Sequence, residues 1–82
     1  MPNTIPGHHR EMLAVFLGIA DVSMADDPHD PTIHTIHHQG ADWTAKYQGA
    51  YEGEPIWNLT GPTHPDGILL DRYGITDAIT RP

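Results

Sequence analysis

The most regular apolar pattern in the chain lies near the N-terminus and has helical spacing. Apolar residues recur there at i, i+3, i+4 and i+7, with further apolar side chains on the flank. The stripe consists of Met12, Val15, Phe16 and Ile19, and its flank of Leu13, Leu17 and Ala20. The spacing predicts a helix from about Gly7 to Ala20 whose stripe packs into the core. The alternative is an amphipathic helix that leaves the stripe free to bind a partner.

A period of two replaces the helical period in the middle of the chain. Over residues 43–52, apolar or aromatic side chains alternate with mostly polar ones, and residues 56–60 alternate in the same way. This pattern is typical of strands with one buried face and one wet face. Trp43, Tyr47 and Tyr51 are also spaced i, i+4 and i+8, which leaves a helix as the alternative. Because the segment is rich in Thr and aromatic residues, we predict a strand.

A further strand is predicted from Thr32 to His38, where Thr and Ile are β-branched and stiff at χ1. The alternative is a helix that runs to Gln39, with Asp30 as its N-cap and Pro31 as its first helical residue. Turn-type sequences separate this strand from the two alternating segments. Together the three segments predict a three-stranded antiparallel meander.

The C-terminal part of the chain predicts a short helix over residues 68–75. Gly74 stands where a left-handed residue would end that helix, and Ile75 could pack back on Leu70. Thr76 could then cap one more turn together with Asp77. A fourth strand over residues 68–71 is the alternative.

The predicted architecture is therefore α+β, with one N-terminal helix packed on the three-stranded antiparallel meander and a short C-terminal helix. Residues 1–82 are expected to form a single small domain. Trp43, Tyr47 and Trp57 are expected to supply the aromatic half of its core.

Composition narrows the class of protein. The chain contains no cysteine, which excludes disulfides, thiolate metal sites and cysteine nucleophiles. The apolar run over residues 12–20 is far shorter than the ~20 residues that a membrane-spanning helix needs. No secretion signal is recognisable before that run. We therefore expect a cytoplasmic protein that does not act on membranes.

Charge indicates the kind of partner. The formal net charge is −7 with neutral histidines, from 11 acidic and 4 basic side chains. This balance argues against a nucleic-acid binder, which gains affinity from clustered Lys and Arg. It favours a protein partner with a basic surface. The predicted partner-binding residues are the dense acidic group and two tyrosines near turns: Asp26, Asp27, Asp30, Tyr51 and Tyr73.

Histidine is the compositional excess, with 7 in the chain. The cluster His29, His34, His37 and His38 is the candidate for a zinc or nickel site. On a strand, His34 and His38 would lie roughly 13 Å apart, whereas on a helix they would share one face. The metal hypothesis therefore depends on the helical alternative for this segment. The same imidazoles would also permit a pH-dependent switch.

No catalytic motif is recognisable. Ser23 is the only serine and lies outside a Gly-x-Ser-x-Gly elbow, and no phosphate-binding loop is present. We expect a non-catalytic acidic protein-binding module without a cofactor. It would be an accessory, inhibitor or assembly component of bacterial or phage type that docks on a larger protein. Self-association stays open, and the alternative function is transition-metal binding by the histidine cluster.

Overall fold

A computed structural model describes residues 4–81. Along the chain, a helix is followed by the five strands of one antiparallel sheet and then by a second helix. The elements are α1 (Gly7–Ile19), β1 (Ser23–Asp26), β2 (Ile33–His38), β3 (Ala41–Tyr51), β4 (Glu54–Gly61), β5 (His64–Leu70) and α2 (Arg72–Thr80). The strands lie side by side in sequence order. One face of the sheet packs against both helices, and the other face remains open. No helix within residues 4–81 is long and apolar enough to cross a membrane.

The predicted three-stranded meander is wrong, because β1 and β5 extend the sheet at its two edges. The strands expected at residues 32–38, 43–52 and 56–60 are present as β2, β3 and β4. β1 has only 4 residues and is mostly exposed, so it shows no alternation of apolar and polar positions. β5 contains Pro65 and Gly67, which argue against a central strand but are accepted at an edge.

The helix predicted over residues 68–75 is also wrong. Residues 68–70 end β5, and the helix begins only at Arg72. Asp71 has extended backbone, and its side chain accepts a hydrogen bond of 2.8 Å from the N–H of Gly74. This N-cap satisfies a donor of the first turn and fixes the start of α2. Gly74 therefore lies inside the helix, where a Cβ would be 2.8 Å from Leu70 Cδ2.

Replacing the Asp71 cap tests this boundary. Asp71→Ala is expected to lower the free energy of unfolding by about 1 kcal/mol, because the N–H of Gly74 loses its acceptor. The matched control is Asp77→Ala, which removes an exposed carboxylate of α2 paired with Arg81. That pair is solvated, so its loss should have a much smaller effect. Urea denaturation measures both, and equal losses would contradict the cap.

The core lies between the helices and the inward face of the sheet. Trp43, Tyr47 and Trp57 are buried there, as predicted. The other residues of the core are Leu13, Leu17, Val22, Ile36, Ala45, Leu59, Ile75 and Ile79. Aromatic residues of the central strands thus meet aliphatic residues of the helices.

The α1 stripe is placed differently from its prediction. Leu13 and Leu17 are fully buried, whereas Val15 is 57% exposed and Ile19 is 80% exposed. The expectation that the stripe packs into the core is therefore wrong for these two residues. The inward side of α1 is formed instead by its buried residues His9, Leu13 and Leu17. They are spaced i, i+4 and i+8, so they lie in one row along the helix.

Candidate functional site

A groove with a volume of about 610 Å³ lies between α1 and the beginning of α2. It is lined only by helix residues: His8, Glu11, Met12, Val15 and Phe16 from α1, and Arg72 and Tyr73 from α2. Its walls are mostly apolar and aromatic, and its polar groups stand at the end where the helices begin. Such a concave apolar surface with a few polar groups is typical of binding sites.

Aromatic packing joins the two walls of the groove. The rings of Phe16 and Tyr73 meet edge to face, with their centroids 4.8 Å apart. The guanidinium of Arg72 lies 4.9 Å from the centroid of the Tyr73 ring and donates a 3.0 Å hydrogen bond to the Tyr73 hydroxyl. Glu54 lies 3.6 Å from Arg72 Nε and restrains it from the other side. These contacts hold Tyr73 in place although its side chain remains largely exposed.

The groove continues into exposed apolar surface. Val15 forms part of its wall, and Ile19 lies one helical turn further along α1. Tyr73, at 52% exposure, covers the opposite side. Exposed apolar side chains that cluster in this way, unlike scattered ones, mark interaction surfaces. Partner binding, the alternative role of the α1 stripe, stays a prediction, and Val15 and Ile19 have the exposure that it requires.

The predicted partner-binding residues stand on different elements of the fold. Tyr73 belongs to the groove, whereas Tyr51 is exposed at the end of β3. Asp27 accepts hydrogen bonds from the backbone N–H groups of His29 and Asp30. Asp30 in turn accepts hydrogen bonds from the backbone N–H and from the hydroxyl of Thr32. These two carboxylates order the β1–β2 loop, and a role in partner binding stays a prediction for them and for Tyr51.

Asp26 has a structural role of a different kind. Its carboxylate accepts a hydrogen bond of 2.9 Å from Nδ1 of His34 and one of 3.0 Å from Nε of Arg10. Burial raises the pKa of Asp26, but the hydrogen bonds from His34 and Arg10 outweigh it and hold this pKa below its usual value. The residue therefore ties the edge strand β1 to both β2 and α1.

His34 is fully buried, and its Nε2 has no hydrogen-bond partner within residues 4–81. Burial lowers the pKa of His34, and the bond to Asp26 only partly opposes that effect. In the neutral imidazole whose Nδ1–H donates to Asp26, Nε2 carries the lone pair. A second proton would place an N–H donor in the core without an acceptor.

The four clustered histidines do not converge. His34 points into the core from β2, whereas His37 is exposed and bonds Asp42 across the neighbouring strand. His29 lies in the β1–β2 loop, and His38 ends β2. Over the part of the chain that is described, no three His, Asp or Glu side chains are placed to hold one metal ion. The zinc or nickel hypothesis remains a prediction that this geometry does not favour.

One buried polar contact was not predicted from the sequence. Nδ1 of His9 and the hydroxyl of Tyr47 are 2.7 Å apart and hydrogen bonded, across 38 positions of the chain. Burial lowers the pKa of His9, as does neighbouring His8, while Glu54 raises it. Burial also raises the pKa of Tyr47. The helical spacing of His9 with Leu13 and Leu17 was the signal that could have placed this histidine on the inward face.

Negative charge collects at the end of the domain where both helices begin. Because successive strands run in opposite directions, the β1–β2 loop, the β3–β4 turn and the start of α2 lie at this same end. We call it the acidic end; its carboxylates are Glu11, Asp26, Asp27, Asp30, Glu52, Glu54 and Asp71. The arginines there, Arg10 and Arg72, are already paired with carboxylates.

Comparisons with protein-family models, with curated proteins and with solved structures found no match to this chain.

Proposed function

We propose that this chain is a non-catalytic acidic protein-binding module that docks on a larger protein through the groove between α1 and α2. The exposed apolar surface of Val15, Ile19 and Tyr73 beside the groove supports this proposal. Burying apolar surface stabilises a complex by roughly 25 cal/mol per Å² before the costs of association. We propose that it acts in the cytoplasm as an accessory, inhibitor or assembly component.

The charge of the domain favours a basic partner. The formal net charge is −7. Arg10, Arg72 and Arg81 each pair with a carboxylate of the same domain, so these cations do little to attract an acidic partner. Opposite charge on the partner would speed the encounter, and added salt would slow it. The apolar groove would supply affinity, and the carboxylates would supply rate and selectivity.

Site-specific photo-crosslinking tests where the partner binds. A photoreactive amino acid is placed at position 15, beside the groove, or at position 69 in the full chain expressed in its source cell. Leu69 is a matched control because it is 63% exposed, and it pairs with Asn58 on the open face of the sheet. We expect one discrete protein adduct from position 15 and none from position 69.

Binding of the purified adduct partner then measures the contribution of the groove. Tyr73→Asp is expected to weaken binding about tenfold or more, because it removes an aromatic anchor and adds a carboxylate. Leu69→Asp should leave the dissociation constant nearly unchanged. Adducts from both positions, or from neither, would contradict the proposed function.

A further inference from the structure

We infer that the groove receives an amphipathic α-helix of a basic partner protein, packed along α1 with its cationic end at the acidic end of the domain. This inference rests on the proposed function and specifies the chemistry of the partner. It follows from what lines the groove, from the spacing of the apolar α1 stripe and from the distribution of charge.

The walls of the groove favour a helical occupant over an extended one. All the lining residues belong to α1 or α2, whose backbone groups are bonded within each helix. An extended segment in this groove would bury its own N–H and C=O groups with no backbone edge to pair with, which is costly. A helix satisfies its backbone internally and offers only side chains to an apolar wall.

The apolar stripe of α1, with Val15 and Ile19 exposed and Met12 and Phe16 half-buried, has the spacing that a helix can pack against. Met12, Val15, Phe16 and Ile19 stand at i, i+3, i+4 and i+7, so they form ridges that fit the grooves of another helix. The distance from Met12 to Ile19 along the axis is about 10 Å. An occupant of roughly three turns with apolar residues at the same intervals would cover this length.

Charge sets the direction of the occupant. Glu11 stands on the rim at the acidic end; it is paired with Arg10, but 64% of its side chain remains exposed. The helix N-termini add partial positive charge there, but Asp71 caps α2, and the full charges of the other carboxylates exceed this effect. Lys or Arg at one end of the occupant would therefore lie beside Glu11, and its apolar stripe would extend toward Ile19.

A second copy of this chain suits the groove less well. Each copy carries a formal charge of −7, so two copies repel one another at low salt. The same negative charge attracts a basic partner helix.

Designed peptides test the inference on the full chain. The probe is a labelled 14-residue peptide with Leu and Phe at i, i+3, i+4 and i+7, Lys at one end and Ala or Gln elsewhere. One control replaces a central Ala with Pro, which breaks the helix but keeps the stripe. A second control replaces each Lys with Glu. Fluorescence anisotropy is expected to show saturable binding of the probe and about tenfold weaker binding of either control.

Variants of the protein locate the bound peptide. Val15→Asp and Tyr73→Asp are each expected to weaken binding of the probe about tenfold, and Leu69→Asp less than twofold. Circular dichroism verifies that each variant is folded, and Val15→Asp is the safer one because Tyr73 also packs on Phe16 and bonds Arg72. A spin label on the Lys end should broaden the amide signals of Glu11 and Arg72 more than that of Ile19.

The outcomes separate this inference from the proposed function. Equal binding of the Pro control would overturn the helical occupant, and equal binding of the Glu control would overturn the basic one. Broadening centred on Ile19 would overturn the direction. Dimers of the chain that Tyr73→Asp abolishes would show a second copy as the occupant. If a position-15 adduct forms but the probe does not bind, the inference fails and the proposed function stands; without the adduct, the proposed function fails.

Discussion

Gly61→Ala is expected to lower the free energy of unfolding by about 1–3 kcal/mol, because it overpacks the core. A Cβ at position 61 would lie 2.1 Å from Cε3 of Trp43 and 2.6 Å from Cδ2. These atoms belong to a rigid indole that is 3% exposed and packed among core residues, so it has no free direction to move. The missing side chain at position 61 therefore makes room for the Trp43 ring.

Gly18→Ala is the matched control and should act in the opposite direction. A Cβ at position 18 of α1 would meet no heavy atom within 4 Å. Because Ala is the better helix former, this substitution should raise the free energy of unfolding by up to about 1 kcal/mol. Urea denaturation followed by tryptophan fluorescence measures both changes.

A double-mutant cycle with Trp43→Leu identifies the cause of the Gly61 effect. If the clash with the ring is responsible, Gly61→Ala should cost far less in the Trp43→Leu background. An unchanged cost in that background, or a Gly61→Ala variant as stable as the parent chain, would show that the ring does not occupy the space beside Gly61.

Asp26→Ala is expected to lower the free energy of unfolding at neutral pH by about 1–3 kcal/mol, because it leaves the buried Nδ1–H of His34 without an acceptor. The sheet contains a matched control, the His37–Asp42 pair, whose side chains are both largely exposed. Asp42→Ala should change stability by less than about 1 kcal/mol, since water replaces the lost partner. Chemical denaturation of the two variants separates a buried pair from a solvated one, and equal losses would contradict the buried role of His34.

The same pair predicts how stability depends on pH. The pKa of His34 is lowered from its ordinary value of 6.5, so below that pH the unfolded chain takes up a proton that the folded chain does not. Stability is therefore highest above pH 6.5 and falls as the pH drops below it. The pKa of Asp26 is lowered from 3.8, so its contribution is present above that pH and is lost as the pH falls through the folded-state value.

Denaturation midpoints measured from pH 7 to pH 5 isolate the histidine contribution. His34→Gln is expected to reduce the slope of stability against pH. His9 is also buried with a lowered pKa, so some slope should remain in His34→Gln. A slope unaltered by His34→Gln would show that His34 does not stay neutral in the folded chain.

Local patterns were enough to find the centre of the sheet. Period-two alternation over β3 and β4 reports which side chains face inward, and it placed Trp43, Tyr47 and Trp57 in the core correctly. The β-branched residues of β2 likewise indicated a strand. Edge strands carry no such signal, because an edge residue is half solvated and Pro65 or Gly67 is acceptable there. The sequence therefore predicted three strands where the sheet has five.

The groove could be predicted only in part. Tyr73 was expected to bind a partner, and the structure places it in the groove wall. Asp27 and Asp30 stay predicted partner-binding residues, and composition did not show that they also accept hydrogen bonds within the β1–β2 loop. The contact between Phe16 and Tyr73 joins residues from opposite ends of the chain, and no local pattern encodes it.

Periodicity and charge are properties of the chain, and they predicted a helix over about residues 7–20, strands in the central segments and an acidic domain; α1 and the strands β2, β3 and β4 agree with this. The side of α1 that faces inward could not be predicted in this way, because it depends on packing against the sheet. Both the α1 stripe and its flank are apolar, so burial of either would satisfy the hydrophobic effect. The fit of Leu13, Leu17 and His9 to the sheet selected the flank and left Val15 and Ile19 exposed beside the groove.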